Sequence, residues 1–257
     1  MRLPKKHRNR IVVAAAVLAL AGGTVAVAAS NNPGDKAEAR KVEQPAPARS
    51  GVSEEISRQS EDSGKPGEEK KTVNLTFDDG PDPTWTPKVL DLLREYGAKA
   101  TFCMIGPNAK AHPDLVKKVV AAGHRLCDHS MSHDTTMDKK PVDYQQREIL
   151  DAQKLIEEAS GGEPVRYYRA PGGAFTPDSR RVAAEHGMRP LGWNVDTKDF
   201  EHPGVEKILD TAQRQLAKGP TVLMHDGGGN RGQTLEAVAK LLPWLKQEGY
   251  TFSFPQA

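Results

Sequence analysis

The main part of this sequence has no surplus of either charge and few aromatic side chains. From residue 71 onward it contains 24 Lys and Arg against 25 Asp and Glu, and aromatic residues make up 5% of the whole chain. Nucleic-acid binding calls for a basic surface and for rings on which bases can stack. The sequence therefore gives no support to nucleic acid as a partner.

The sequence also gives no support to two common enzyme classes, the serine hydrolases and the dinucleotide-binding enzymes. The chain has no G-x-S-x-G elbow to support a serine hydrolase. The segment 227–232 (GGGNRG) does match G-x-G-x-x-G, but a dinucleotide site needs a second strand beyond it that ends in an acidic residue, and only 25 residues remain. We therefore interpret 227–232 as a flexible loop over a cleft.

One long apolar run occurs, and it lies at the N-terminus. Five basic residues within the first ten precede an apolar stretch over 11–29, in which Ala26-Val27-Ala28 has the small side chains of a cleavage site. This pattern favours a cleaved signal peptide over 1–29. The stretch is also just long enough to span a bilayer, so an uncleaved membrane anchor is the alternative. Both interpretations predict a protein that is secreted or attached to the outer face of the cell envelope.

Residues 30–70 are rich in Pro, Ser, Gly, Glu and Lys and have scarcely any apolar side chains to bury. Such a segment cannot offset the entropy that it would lose on ordering. We expect a disordered linker over 30–70 and one folded domain over 71–257.

Cysteine is scarce: Cys103 and Cys127 are the only two in the chain. A single pair inside the folded part of an exported protein favours a disulfide bond. The alternative is two small buried hydrophobic side chains on neighbouring strands.

Short apolar runs alternate with amphipathic runs from residue 71 onward, and Pro and Gly mark the starts and stops of several of the latter. Strict alternation predicts a parallel sheet with crossover helices. About seven units are too many for an open sheet and too few for an eightfold barrel, so we expect an α/β fold that is a distorted or incomplete (β/α) barrel. The predicted strands are 72–77, 99–105, 124–127, 166–169, 188–195, 220–224 and 250–253, and the predicted helices are 87–96, 113–122, 141–159, 177–186, 204–217 and 233–247.

Two short segments contain most of the candidate chemistry. The segment 76–81 (TFDDGP) ends a strand with two adjacent carboxylates, Asp78 and Asp79, and 129–133 (HSMSH) places His129 and His133 at i and i+4. One carboxylate with two imidazoles is a three-ligand set that leaves metal positions open for water and substrate. The second carboxylate then stands where a general base is needed. The pattern predicts a metal-dependent hydrolase.

Other polar residues follow later predicted strands, namely Arg169, Asp196, Asp199 and His225. Each has an ordinary structural alternative, such as an ion pair, a surface acid or a buried histidine, and Asp-Asp-Gly-Pro alone is commonly a turn. Barrel enzymes, however, build their active sites at the C-terminal ends of strands. The shared placement of these residues therefore favours a single site.

Five segments of the chain, over about 71–254, resemble those of the NodB-homology polysaccharide deacetylases, carbohydrate esterase family 4. The resemblance implies that Asp78 is the catalytic base and that Asp79, His129 and His133 bind the metal. In the third segment, 169–173 (RAPGG), it implies that Arg169 orders the base.

The remaining segments of that resemblance complete the site. Asp199, in 196–200 (DTKDF), is expected to orient and charge the acid histidine, and His225 is expected to be that general acid. Loop residues Pro171, Gly172 and Gly173, together with Leu223, are expected to face the substrate and the oxyanion. Gly172 stands where the family usually has an aromatic residue, and Phe200 where it usually has Trp, so details of the substrate cleft are expected to differ.

The resemblance implies removal of N-acetyl groups from polysaccharides with N-acetylhexosamine units, either peptidoglycan or chitin-type oligomers, with release of acetate. The cofactor implied is a divalent metal, Zn²⁺ first, with Co²⁺ or another divalent ion as alternatives. The alternative functions are an O-deacetylase of acetylated xylan and an inactive carbohydrate-binding module. We expect a monomer that contacts a membrane only if the N-terminal segment is retained.

Overall fold

A parallel sheet forms the centre of the computed structural model, which describes residues 51–62 and 70–257. The strand order is β5-β4-β3-β2-β1-β7-β6, β8 pairs with β1, and all of these pairings are parallel. The sheet curls into a half-barrel with helices around it, which confirms the predicted incomplete (β/α) barrel. The strands are β1 (Thr72–Asp78), β2 (Ala100–Met104), β3 (Arg125–Asp128), β4 (Tyr167–Tyr168), β5 (Arg189–Pro190), β6 (Val195–Asp196), β7 (Thr221–His225) and β8 (Thr251–Phe252).

The helices begin and end close to the predicted Pro and Gly signals. They are α1 (Thr86–Glu95), α2 (Gly106–Ala111), α3 (Pro113–Ala121), α4 (Val142–Ser160), α5 (Pro177–Glu185), α6 (Val205–Gln215) and α7 (Gly232–Gln247). Helix α2 was not predicted, because its six residues are too few to show a helical period. A capping box at the start of α5, in which Thr176 and Ser179 exchange hydrogen bonds, shows how local sequence sets a helix start.

Strand β1 lies at the middle of the sheet and is buried on both faces. Its apolar side chains, Val73, Leu75 and Phe77, belong to the main core. Its polar side chains are buried as well but hydrogen-bonded: the Asn74 amide donates to Thr221 Oγ1 and the Thr76 hydroxyl donates to the Val222 carbonyl. Satisfied polar groups of this kind are tolerated in a core, so β1 can deliver Asp78 to the site from a fixed position.

The predicted strand 188–195 is in fact two strands on opposite edges of the sheet. β5 pairs with β4 and β6 pairs with β7, so the chain crosses the open side of the half-barrel over residues 191–194. The Asn194 side chain fixes the far end of this crossing by accepting from the Thr221 backbone N–H. Sequence periodicity missed the crossing because its apolar residues continue the pattern of a strand.

Residues 51–62 pack on the domain, which corrects the prediction that the whole of 30–70 is a disordered linker. Ser57 forms a bridge to Leu191 on the crossing segment, and Ser60 forms one to Pro255. The Ser60 hydroxyl also donates to Asn74 within β1. Hydrogen bonds and the Glu61–Arg125 ion pair join the segment to the domain, and its only two large apolar residues, Val52 and Ile56, gave no clear sign of this packing. The rest of the predicted linker in 30–50 and 63–69, and the predicted signal peptide or anchor over 1–29, lie outside the described residues.

Cys103 and Cys127 form a disulfide bond between β2 and β3, where the two residues are register partners. The predicted bridge is therefore present, and both residues are fully buried. Within the described parts of the chain, no helix has both the length and the apolar character needed to cross a bilayer.

Candidate active site

The predicted site residues meet around one cavity of about 370 Å³ at the C-terminal ends of the strands. Eight of them line it: Asp78, Asp79, His129, His133, Gly172, Asp196, Leu223 and His225. Arg169 and Asp199 are buried directly behind this lining, each bonded to one of its members. The structure thus brings together residues that are up to 147 positions apart in the chain.

Asp79, His129 and His133 form the one group among the described residues whose side chains could together hold a metal ion. Asp79 Oδ1 lies 3.6 Å from His129 Nε2 and 3.3 Å from His133 Nε2. Zinc–ligand bonds of about 2.0–2.2 Å in a tetrahedral site place ligand atoms about 3.4 Å apart. The spacing of these three atoms therefore fits a small divalent cation.

The protonation of His129 and the surroundings of Asp79 support the same interpretation. Nδ1 of His129 donates to the Arg169 carbonyl oxygen at 2.8 Å, which leaves the lone pair on Nε2 facing Asp79. Burial lowers the pKa of His129 to about 3, so the ring is neutral and able to act as a ligand. Asp79 Oδ1 is a buried oxygen without a hydrogen-bond partner among the described residues. An orphaned buried carboxylate oxygen facing two imidazole nitrogens is what a cation would satisfy.

The two histidines are presented by a tight turn that follows β3. Asp128 Oδ1 accepts the Ser130 N–H, and the Ser130 hydroxyl accepts the His133 N–H. Ser130 and His133 have φ values of 67° and 54°, in the left-handed region that costs a non-glycine residue energy. The turn is therefore held by its own hydrogen bonds in a shape that unfolded chains rarely sample.

Asp78 differs from Asp79 because an arginine holds it. Arg169 Nη1 donates to Asp78 Oδ1 at 2.6 Å and to Thr76 Oγ1 at 2.9 Å. The rest of the guanidinium donates to the carbonyl oxygens of Leu191 and Gly192, on the segment that crosses between the sheet edges. Burial raises the pKa of Asp78, and the charge of Arg169 opposes that shift. The carboxylate is thus fixed in orientation and poised to accept a proton.

His225 and Asp199 form a second hydrogen-bonded pair on the other side of the cavity. His225 Nδ1 lies 2.8 Å from Asp199 Oδ1, and the His225 backbone N–H donates to Asp199 Oδ2. Thr197 and Thr234 hydroxyls also donate to this carboxylate. Burial acts against charge on the ring, but the hydrogen bond and charge of Asp199 outweigh it and raise the pKa of His225. Burial also acts to raise the pKa of Asp199, yet the hydrogen bond to His225 outweighs it and lowers that pKa.

The segment 171–173 forms a 3₁₀ turn beside the cavity, with Pro171 buried and Gly172 and Gly173 at φ values of 60° and 73°. The Gly173 N–H donates to the Ala170 carbonyl. The Gly172 N–H is not used by the hydrogen bonds found among the described residues. A Cβ on Gly173 would lie 3.0 Å from the Trp193 ring, so the turn packs closely against that indole.

The aromatic walls of the cavity are Trp193 and Phe200. Phe200 packs edge-on against His225, with ring centroids 5.3 Å apart, and is 40% exposed. Leu223 lies in β7, within the predicted strand 220–224, and it lines the cavity as expected, while its carbonyl accepts the Thr197 hydroxyl.

Sequence reasoning missed two charged residues at the site, Asp226 and Arg231. Asp226 is buried beside the Asp79 region, its Oδ2 accepts the Thr86 hydroxyl, and burial raises its pKa to about 7. A Cβ on Gly80 would lie 2.5 Å from the Asp226 carboxylate, so a larger residue at position 80 would displace that side chain. Arg231 is also buried at the cavity and lies near Asp79. An adjacent pair such as His225-Asp226 was a usable hint, whereas the position of Arg231 depends on tertiary folding.

Comparison with known proteins gives a consistent result. The family model described as polysaccharide deacetylase matches residues 65–191. The chain is 43% identical over 188 residues to a peptidoglycan-N-acetylglucosamine deacetylase of Bacillus cereus, covering 71% of this chain and 85% of that protein. It is 36% identical over 198 residues to a chitooligosaccharide deacetylase of Sinorhizobium fredii, covering 72% and 91% respectively.

Solved structures with the same fold include enzymes and a pseudoenzyme. The Bc1960 peptidoglycan N-acetylglucosamine deacetylase superposes with a TM-score of 0.68 at 31% identity, covering 72% of this chain and 86% of that one. A mutant of BA3943, described as a CE4 family pseudoenzyme with restored enzymatic activity, superposes with a TM-score of 0.66 at 30% identity. That match covers 71% of this chain, which spans 65% of the length of the BA3943 protein.

Proposed function

The chain belongs to the polysaccharide deacetylase family, and we propose that it is an exported, zinc-dependent enzyme that removes N-acetyl groups from N-acetylglucosamine polymers. The observation that carries this proposal is the convergence of three groups on one cavity. These are the candidate metal ligands Asp79, His129 and His133, the Arg169–Asp78 pair, and the Asp199–His225 pair.

The candidate base in this proposal is Asp78. Arg169 fixes Asp78 Oδ1, so the other oxygen, Oδ2, is left to face the cavity side, 3.5 Å from His129 Nε2. There it accepts a proton from the water that attacks the acetyl carbonyl carbon. General-base assistance of this kind contributes about 10²–10⁴-fold in rate. The guanidinium also offsets the repulsion between Asp78 and Asp79, so that Asp78 can remain ionised.

Asp79, His129 and His133 would hold a divalent cation. Such a cation would polarise the acetyl carbonyl as a Lewis acid and lower the pKa of a water molecule bound to it. The negative charge that develops on the carbonyl oxygen also needs a hydrogen-bond donor. The Gly172 N–H is the candidate donor, because Gly172 lies at the cavity wall and its N–H takes no part in the turn's own hydrogen bonds.

His225 is the candidate acid. Asp199 accepts a hydrogen bond from the Nδ1–H, which fixes the ring so that Nε2 is the atom free to donate a proton. The raised pKa of His225 favours the protonated ring. Donation to the sugar nitrogen breaks the C–N bond and gives acetate and a free amine.

The relatives indicate the substrate class, because one is named for peptidoglycan N-acetylglucosamine and another for chitooligosaccharide. Both substrates contain N-acetylglucosamine, so we place this chain on such polymers. The basic and apolar N-terminal segment 1–29 supports export to the cell envelope, where peptidoglycan lies.

Acetate release by the purified full chain tests the proposal. N-acetylglucosamine oligomers, peptidoglycan and acetylated xylan are offered in parallel, after treatment with a chelator and again after Zn²⁺ or Co²⁺ is returned. We expect release from the first two substrates that is lost on chelation and restored by metal.

Other outcomes identify the alternatives. Release from acetylated xylan alone would contradict the proposed N-deacetylase activity and show that the enzyme is an O-deacetylase. Sugar binding that is the same with and without metal, with no acetate released, would favour a binding module, a result that a pseudoenzyme among the structural neighbours makes worth testing.

A further inference from the structure

The glycine-rich loop 227–232 lies directly against Asp79. It contains neither the proposed base nor the proposed acid. A Cβ atom on Gly228 would lie 2.6 Å from Asp79 Oδ2, and one on Gly227 would collide with the Asp79 carbonyl oxygen. Real Cβ atoms do not approach heavy atoms so closely. Glycine at both positions is therefore what lets the loop touch the candidate metal ligand.

Arg231 fixes the shape of the loop through hydrogen bonds to two of its carbonyl groups. Its Nε donates to the Gly227 carbonyl at 2.6 Å and its Nη2 donates to the Gly228 carbonyl at 3.0 Å. Nη2 also lies 3.9 Å from Asp79 Oδ2, which is near for a charge but too far for a hydrogen bond. The arginine thus fixes the conformation of the loop that contacts Asp79, without hydrogen-bonding the carboxylate. Gly228 and Arg231 both line the cavity, so part of the loop predicted over the cleft forms its wall.

Asp79 presents its two oxygens to different partners. Oδ1 faces His129 and His133, whereas Oδ2 faces Gly228 and Arg231. The Asp79 backbone has a φ of 74°, a strained value for a non-glycine residue that persists only where the surroundings impose it. Contact with the loop on the Oδ2 side limits how far the carboxylate can turn away from the histidines.

We infer that the loop 227–232 is a positioning element of the metal site, in which Gly228 and Arg231 keep Asp79 Oδ1 turned toward His129 and His133. The inference rests on the proposed function, because it takes Asp79 as a metal ligand. Partners that orient a metal ligand from outside typically change metal affinity by about 10–100-fold when they are altered.

Two variants of the full chain test this role, Gly228→Ala and Arg231→Lys. The first places a methyl group against Asp79 Oδ2. The second keeps the positive charge but replaces the guanidinium fork, so that both carbonyl bonds cannot form. Gly187→Ala is the matched control for the first, because its φ of 82° resembles the 72° of Gly228 while its Cβ would meet no atom within 4 Å. It isolates the effect of backbone strain.

The Zn²⁺ dissociation constant is measured by competition with a chelating dye, and the Co²⁺ absorption spectrum reports the ligand geometry. We expect Gly228→Ala and Arg231→Lys to raise the dissociation constant about tenfold or more and to alter the spectrum. Gly187→Ala is expected to stay within about twofold of the parent chain, since it lacks the contact with Asp79 that the 10–100-fold effects require.

Zn²⁺ affinities in both variants equal to that of Gly187→Ala would overturn the inference. If Gly228→Ala fails to fold, Arg231→Lys decides alone. A parent chain that binds neither metal overturns the proposed function as well, whereas normal binding and acetate release in the parent, with unchanged variants, overturns the positioning role only.

Discussion

Asp78 and Asp79 are neighbours in the chain but have different surroundings, and the difference supports the separate roles proposed for them. Arg169 holds Asp78 at 2.6 Å, while Asp79 has an unpartnered oxygen facing two histidines. A carboxylate that is hydrogen-bonded on one side is suited to accept a proton, and one with a free buried oxygen is suited to bind a cation. The left-handed backbone of Asp79 turns its side chain away from the direction that β1 gives to Asp78.

The paired His225 and Asp199 lead to a prediction about pH. In the proposed mechanism His225 is protonated, so we expect activity to fall as pH rises through the raised pKa of His225. Activity also falls as pH decreases through the raised pKa of Asp78, which must be ionised. We expect a bell-shaped profile of kcat/KM. Asp199→Asn removes the carboxylate that raises the pKa of His225, so the alkaline limb shifts to lower pH while the acidic limb stays.

The rate of acetate release between acidic and alkaline pH measures this shift in the parent chain and in Asp199→Asn. Glu201→Gln, an exposed change two residues away, is the control. An alkaline limb that is the same in all three proteins would show that Asp199 does not set the proton affinity of the acid.

Among the elements, the segment 191–194 joins the two edges of the half-barrel and also contacts the candidate active site through Arg169. Its Leu191 and Gly192 carbonyls accept from Arg169, which holds Asp78. Residues 51–62 pack on the same segment, where Ser57 exchanges backbone hydrogen bonds with Pro190 and Gly192. Residues 51–62 are therefore part of the folded domain that supports the site.

Removal of residues 51–62 is expected to destabilise the domain. Four backbone hydrogen bonds join the segment to the rest, those of Ser57 with Pro190 and Gly192 and those of Gln59 with Gln256 and Glu61 with Phe254. Each contributes about 1 kcal/mol net, and the entropy of ordering the segment offsets part of this gain. We expect a loss of about 2 kcal/mol in the free energy of unfolding, or roughly 4–8 °C in Tm.

Thermal unfolding of chains comprising 51–257 and 71–257 makes this comparison. Both lack the N-terminal apolar run, so the difference between their Tm values measures the contribution of residues 51–70, which comprise the segment 51–62 and its connection to β1. Equal Tm values would contradict the packing of 51–62 on the domain.

The contrast between the two parts of the site shows how far the sequence could predict it. Asp78, Asp79, His129 and His133 could be found because they form two compact motifs at strand ends, and β-α alternation predicted the half-barrel. The crossing at 191–194 and the packing of 51–62 could not, because hydrogen bonds between distant segments hold them. The glycine content of 227–232 predicted a loop over the cleft, but it could not show that Gly228 lies against Asp79 or that Arg231 bonds to the Gly227 and Gly228 carbonyls.

At the scale of the whole molecule, the central claim is that one cavity combines a metal site with a separate base and acid. The most direct measurement compares Asp78→Asn with Asp79→Asn in the full chain, recording bound Zn²⁺ and acetate release from N-acetylglucosamine oligomers in the same samples. We expect Asp78→Asn to keep its Zn²⁺ and lose about 10²–10⁴-fold in rate, and Asp79→Asn to lose both the Zn²⁺ and the activity. Zn²⁺ bound equally well by both variants, or activity retained in Asp78→Asn, would contradict this division of roles.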